Sequence, residues 1–417
     1  MGERNYGLFW IGHAGWNTGR WIELTGAVWL AYEISQSPIL LGLLGIFRAV
    51  PAIVLSPIAG VIVDRLDQRK LLIIAQVVGL GASLTLGLLV LAGAVEMWHI
   101  YAQIAVQSAV VSFDWATRQA LFPRLVPRRL LPEAVTLTST AGTASQLIGP
   151  ALGGLAIATL GEAAPFLINA AIFPGLLLTV IGMSHIPRAD PVAGSTFRGE
   201  LMEGLRHILA SPLLSGLLKL EIVFGLFQLN PVLITIVGRE VLRVGPEGLG
   251  GLLSAPALGA MVGIALLLAF GQARRQGRFV VVCLLGYSAI LVAFAFSRNY
   301  QLTVLVLATA GLLETIETVT RHNVLQLAAP GRMRGRVMAN MGTVVRGTTP
   351  LAQTQSGTLV GLVGPTFAVL AASGALAIAA GVTARRNMAL WRFSRDGQSP
   401  GPADVAGEPV PPKPPAA

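Results

Sequence analysis

The stretch "LLIIAQVVGLGASLTLGLLVLAGAV", Leu71 to Val95, runs for 25 residues without a charge. A helix rises 1.5 Å per residue, so about 20 apolar residues cross a hydrocarbon core about 30 Å thick. One run of this length commits the chain to a bilayer. The composition agrees: 53% of the residues are hydrophobic and 12% charged, against about 25% charged in an ordinary soluble domain.

Charges, prolines and glycine clusters divide the chain into twelve such segments between Leu8 and Ala384, which predicts an all-α integral membrane protein. The expected organisation is an N-terminal six-helix bundle over 1–185, a cytoplasmic linker over 186–212, a C-terminal six-helix bundle over 213–386 and a disordered cytoplasmic tail over 387–417. In the linker, Leu201, Leu205 and Ile208 fall at helical spacing and predict an amphipathic surface helix. The tail is rich in Pro, Gly and Ala and poor in aromatics, a composition that cannot bury a core. The first segment has no short apolar region followed by a small-residue cleavage site and reads as a retained helix.

The net charge of +10 follows the connections between segments rather than forming a stripe, so no nucleic-acid partner is expected. One set of connections carries Arg65, Arg69 and Lys70, then Arg124, Arg128 and Arg129, then Arg274, Arg275 and Arg278, then Arg332, Arg334 and Arg336. The opposite set carries Arg298, Arg239 and Arg243. The positive-inside rule then puts both termini in the cytoplasm, in a multi-pass protein of the cell membrane. The single cysteine, Cys283, sits inside an apolar run, so no internal disulfide forms.

The two halves repeat. "RQALFPRLVP" from Arg118 matches "RHNVLQLAAP" from Arg321 at an offset of 203, and an acid precedes each Arg by four residues, Asp114 and Glu317. At an offset of 205, Gly45 matches Gly250, Pro51 matches Pro256, Arg69 matches Arg274 and Lys70 matches Arg275. Collinear matches argue for two related six-helix units. Asp64 has no acidic counterpart, since Ala269 stands there.

On these residues the chain resembles the major facilitator superfamily, in its drug and siderophore exporter branch. Gly60, Asp64, Arg65, Arg69 and Lys70 fit the superfamily's signature between helices two and three, with Asp67 where many members have Gly and Gln68 where many have Arg. "SPILLGLLGIFRAVPAIVLSPIAG", "RQALFPRLVP", "GPALGG" and "RGRVMA" are similar to that branch as well. The resemblance implies a fold of two pseudo-symmetric six-helix bundles and transport by alternating access. It also implies a conformational latch of Gly60, Asp64, Arg65, Arg69, Lys70, Asp114 and Arg118. In that latch Asp64 docks on the start of helix eleven, near Arg336 to Ala339, and Arg65 reaches a helix-four carboxylate such as Asp114. An acid at the C-terminal end of helix two opposes the helix dipole and calls for a positive partner.

Gly149, Pro150, Gly153 and Gly154 on helix five resemble a glycine-proline motif of exporters; small residues at this spacing also allow close helix packing. Ionisable groups are expensive at the bilayer centre and are functional candidates for that reason. For proton coupling these are Glu23, Glu314, Glu317 and Glu221. Arg20 and Glu23 could instead neutralise one another across one helical turn, and acid-first spacings of four favour the Asp114–Arg118 and Glu317–Arg321 pairs. The superfamily's cavity-lining helices are one, four, seven and ten, which offer Trp16, Asn17, Arg20, Gln107, Phe224, Phe227, Gln228 and Asn230 for substrate. Rings with a few amides suit an amphipathic organic molecule.

No GxxxxGK[ST], HExxH or GxSxG pattern occurs, so no ATP hydrolysis, metal, cofactor or enzymatic activity is expected. The expectation is a monomeric secondary transporter, an antiporter coupling protons or another ion to export of a drug-like or siderophore-like molecule. Translocation of lipid or lysolipid, nutrient import, and a non-transporting scaffold are the alternatives.

Overall fold

The computed structural model describes residues 2–182, 197–331 and 333–394. Among these residues the chain is helix joined by short turns. The first unit comprises α1 (Gly2–Ser35), α2 (Pro38–Arg65), α3 (Gln68–Leu91), α4 (Met97–Leu125), α5 (Leu131–Leu160) and α6 (Ala164–Gly182). A linker helix, α7 (Phe197–Ala210), leads to α8 (Pro212–Phe227), α9 (Pro231–Ile236), α10 (Pro246–Phe270), α11 (Gln276–Phe296), α12 (Tyr300–Ala328), α13 (Arg334–Val363), α14 (Pro365–Arg386) and the short α15 (Met388–Arg392).

Local chemistry sets the ends. Ser37, Ser211 and Asn230 each cap a helix that begins with proline, where the missing N–H costs nothing. Asp67 caps α3, accepting from the Arg69 and Lys70 amides. Gly161 and Gly364 close α5 and α13 with φ of 91° and 80°, a conformation that favours glycine, and they too are 203 residues apart.

Packing repeats with the sequence. In the first unit α1 packs on α5 and α6, α2 on α4, and α3 on α4 and α6; in the second, α8 packs on α13 and α14, α10 on α12, and α11 on α12 and α14. The units join through two equivalent crossings, α2 on α13 and α5 on α10. Both lie toward the face where α1 ends and α2 begins, here the 1–2 face; the opposite is the 2–3 face. At these crossings backbone meets backbone. A Cβ on Gly42 would sit 2.9 Å from the Gly357 Cα, and one on Gly250 would sit 2.6 Å from the Pro150 carbonyl oxygen and 3.1 Å from the Gly154 Cα. Gly149 and Gly153 instead press on α1 at Thr18, Trp21, Ile22 and Thr25, so the helix-five motif serves two different contacts.

Among the described residues, nine spans are long and apolar enough to cross a membrane. The remaining long helices, α1, α4 and α13, have 34, 29 and 30 residues but carry polar side chains through their middles. They complete twelve rods, with α8 and α9 forming one rod interrupted at Gln228–Asn230.

Part of the tail expected to be disordered is structured. Residues 387–394 form α15 and its flanks: Leu390 is fully buried, Asn387 donates to the Pro212 carbonyl at 2.7 Å, and the Arg278 guanidinium lies over the Trp391 ring at 5.2 Å. Leu390, Trp391 and Phe393 give these residues an apolar anchor that the Pro-rich remainder lacks. Residues 395–417 and the polar start of the linker, 186–196, lie outside the described residues.

Overpacking a tight crossing costs about 1–3 kcal/mol. Gly250→Val should therefore loosen the 1–2 face and raise labelling, from that face, of a cysteine placed at Val28. Gly142→Ala, where an added Cβ meets nothing within 4 Å, should leave labelling unchanged.

Candidate functional site

With the units joined at the 1–2 face, a cavity of about 660 Å³ remains between them, extending toward the 2–3 face. Its walls are helical stripes: Leu44, Arg48, Ala52 and Ser56 on α2; Gln103, Gln107, Trp115 and Gln119 on α4; Val345, Arg346, Thr349 and Gln353 on α13; and Arg20 to Val28 on α1, with His322 of α12 at one edge. The polar residues that make α1, α4 and α13 poor lipid-facing helices are thus accounted for: much of that polarity faces the cavity.

Glu23 lies in this wall and is buried. Ser83 Oγ donates to its Oε1 at 2.5 Å, Gln103 Nε2 at 2.7 Å and Gln107 Nε2 at 3.3 Å. Asn169 and Gln107 in turn donate to Ser83 at 3.1 and 2.9 Å. Hydroxyl and amide groups from α3, α4 and α6 therefore converge on one carboxylate oxygen of α1. Glu23 turns toward this network and makes no ion pair with Arg20 among the described residues.

Arg20 lies instead against aromatic faces, 5.3 Å from the Trp16 ring and 5.7 Å from the Trp21 ring. Its Nε is buried with no hydrogen-bond partner among the described residues.

The two pairs predicted by four-residue spacing both form. Arg118 donates to Asp114 at 2.5 Å, and Arg321 to Glu317 at 2.8 Å, all four side chains being buried. Their second partners differ. Arg321 also pairs with Glu221 of α8, while Arg118 lies over the rings of Phe9 and Trp16 at 5.7 and 5.6 Å. Trp16 stands 205 positions before Glu221, so one repeat satisfies its arginine with a ring and the other with a second acid. Glu314 is half-buried and makes no hydrogen bond or ion pair among the described residues.

A cluster seals the 1–2 face across the units. Arg239 pairs with Glu33 at 2.5 Å and lies 4.1 Å from the Trp29 ring, Tyr32 donates to Glu240 at 3.1 Å, and Trp29 Nε1 donates to Glu162 at 3.2 Å. On the 2–3 face, Arg69 donates to the Ile181 carbonyl at the end of α6, at 2.5 Å. Arg336 at the start of α13 pairs with Glu203 of the linker helix at 2.6 Å. The side chains of Gly60, Asp64 and Arg65 lie outside the described residues, and Lys70 is exposed.

Of the residues offered for substrate, Arg20 and Gln107 line the cavity. Trp16 packs with Phe173 and Leu176, Asn17 bonds to His13, and Phe224 stacks edge-on against Tyr287. Phe227 lines a separate small pocket, and Gln228 and Asn230 cap α8 and α9. Sequence reasoning marks Arg48 and Arg346 as charges inside apolar segments but does not assign α2 and α13 to the substrate wall. The signal was present, since "RGTTPLAQ" within a membrane-length segment is a polar stripe with Arg346, Thr349 and Gln353 at spacings of three and four.

Comparison with known proteins accords with this architecture. Residues 2–402 match the family described as transmembrane secretion effector, of the major facilitator superfamily. The chain belongs to that family. It is 24% identical over 359 residues to the multidrug efflux pump Tap of Mycolicibacterium fortuitum, covering 83% of this chain and 87% of that one. It is 26% identical over 283 residues to the enterobactin exporter EntS of Shigella flexneri, covering 67% of this chain and 66% of that one. The match to the uncharacterised MFS-type transporter YfiS of Bacillus subtilis, at 27% identity, spans 60% of each chain. Among solved structures, the nucleoside transporter NupG superposes with a TM-score of 0.71 at 12% identity, over 94% of this chain and 99% of that one. A bacterial homologue of the human lysosomal transporter Spinster superposes at 0.73, with 13% identity, over 94% and 98%. The protein is a multi-pass membrane protein of a transporter family.

Breaking a buried ion pair by removing one partner costs about 3–5 kcal/mol. Arg321→Met leaves Glu221 and Glu317 facing one another without their cation and should lower the melting temperature in detergent by roughly 10 °C. Arg275→Gln, on an exposed side chain, should shift it by far less.

Proposed function

We propose that the protein is a secondary active exporter of small amphipathic organic molecules, with transport linked to protons through Glu23. The observation that carries this reading is the cavity itself: sealed by glycine crossings and the Arg239–Glu33 cluster at one face, walled by both units, and holding one carboxyl group, Glu23, among its described lining. Export is supported by the relatives whose names describe efflux, Tap and EntS. The basic residues gather on the 2–3 face, which makes that face and both termini cytoplasmic and the present state inward-open.

In this reading the substrate enters from the cytoplasm, the 2–3 face closes, and the crossings at the 1–2 face part. The cluster around Asp64 acts as the latch of the 2–3 face, made when that face closes, and Arg336 exchanges partners as it forms. Glu221 and Glu317 share Arg321 and serve the second unit's packing, and Glu314 is not in the cavity's described lining, which leaves Glu23 as the proton site on the pathway.

Uptake of a panel of fluorescent xanthene dyes of both charges into everted vesicles, measured across a pH series, tests this. Export predicts accumulation that Glu23→Gln makes insensitive to pH and Glu314→Gln does not. No accumulation of any dye counts against export, and an unchanged pH profile in Glu23→Gln removes Glu23.

A further inference from the structure

The cavity's charges do not balance. The charged and titratable groups in its described lining are Arg20 and Glu23 on α1, Arg48 on α2, Arg346 on α13 and His322 on α12; the α4 stripe contributes amides, hydroxyls and Trp115 but no charge. Three guanidinium groups thus face one carboxylate. None of the three pairs with a carboxylate among the described residues, and Glu23 is already committed to Ser83, Gln103 and Gln107. Arg20 and Arg48 line the same cavity from neighbouring helices, the nearby acid Asp114 is held by Arg118, and guanidinium groups in a partly dehydrated wall call for an anion.

We infer that the transported molecule is an organic anion, its carboxylate, sulfonate or phosphate group held by Arg20 and Arg48 and its apolar body lying against Trp21 and Trp115. This rests on the transport reading for the word "transported" but not for the binding. Arg20 and Arg48 stand on neighbouring helices of the first unit, and Arg346 approaches from α13 of the second, so an anion bridging them would tie the two units together. The flat guanidinium groups suit a two-oxygen acceptor, and the indole faces suit an aromatic body.

Two consequences follow. An inside-negative potential pushes an anion outward, so the electrical gradient supplies outward drive directly. Glu23 is the negative group on the same wall, so its protonation strengthens the anion's hold. A proton leaving with a singly charged anion would cancel that electrical drive, so Glu23 sets the affinity for the anion rather than the driving force, in contrast with the antiport expected from sequence.

The test uses purified full-length protein and two xanthene dyes of similar shape and opposite charge, 5-carboxyfluorescein and rhodamine 123, with binding read by fluorescence anisotropy. Charge-assisted contacts of this kind predict that carboxyfluorescein binds at least roughly tenfold more tightly than rhodamine 123. The double substitution Arg20→Gln with Arg48→Gln should remove that preference, Arg20→Lys with Arg48→Lys should retain most of it, and Glu23→Gln should tighten carboxyfluorescein. Arg385→Gln, an exposed charge at the end of α14, controls for net charge and should change nothing. Equal affinity for the two dyes, preference for rhodamine 123, binding of neither dye, or a preference that survives the double Gln substitution overturns the inference. Anion binding without accumulation in vesicles would sink the transport reading and leave the binding site standing; accumulation of rhodamine 123 alone would do the reverse.

Discussion

The two units touch where neither has side chains to spare. Gly42 against Gly357 and Gly154 against Gly250 bring α2 onto α13 and α5 onto α10 at backbone distance. In lipid there is little hydrophobic force between helices, so close contact and the weak Cα–H to carbonyl bonds it permits supply the attraction. Such a contact is stiff in compression and gives way all at once when the helices tilt, which is what a joint between two rigid bundles needs. Both crossings lie toward one face, the other face has no comparable seam among the described residues, and the cavity is the space they leave.

The placement of charge follows from that geometry. A charge facing lipid is costly, and most of the ionisable residues named inside the spans are either paired across one helical turn, as in Asp114–Arg118 and Glu317–Arg321, or turned into the cavity, as are Arg20, Glu23, Arg48 and Arg346; Glu314 on α12 is neither. The paired groups tie helices within a unit: Arg321 binds α12 to α8 through Glu221. The cavity groups meet where the units face each other. Structural and functional charge are thus separated by position, and the network around Glu23 shows how a carboxylate is held at the boundary, anchored by hydroxyl and amide donors on three neighbouring helices.

Much of this was legible in the sequence because it depends on periodicity. Apolar runs gave the spans, and the Asp114 and Glu317 spacings gave the buried pairs. The matches at 203 and 205 gave the two related units, whose packing partners correspond one to one. What the sequence hid depends on rotation and tilt. Trp16 and Phe224 have the side chains of ligand contacts, but their helix faces turn into packing, while Arg48 and Arg346 turn into the cavity. The interruption at Gln228–Asn230 is held from outside its own rod, by the Tyr287 hydroxyl accepting from the Leu229 amide and by Asn230 donating to Ser356. The Arg239–Glu33 pair joins residues 206 apart, a distance no local pattern reports. Anchoring of α15 by Leu390 was likewise invisible beside a Pro-rich composition.

The central claim is that the crossings at the 1–2 face are one end of a rocking motion that closes the other. Spin labels placed across the units at both faces, Arg129 with Arg275 on the 2–3 face and Ala94 with Glu247 on the 1–2 face, report it by pulsed electron resonance in lipid. The account predicts two populations in which the first distance shortens whenever the second lengthens. Two fixed distances, or distances that lengthen together, would contradict it.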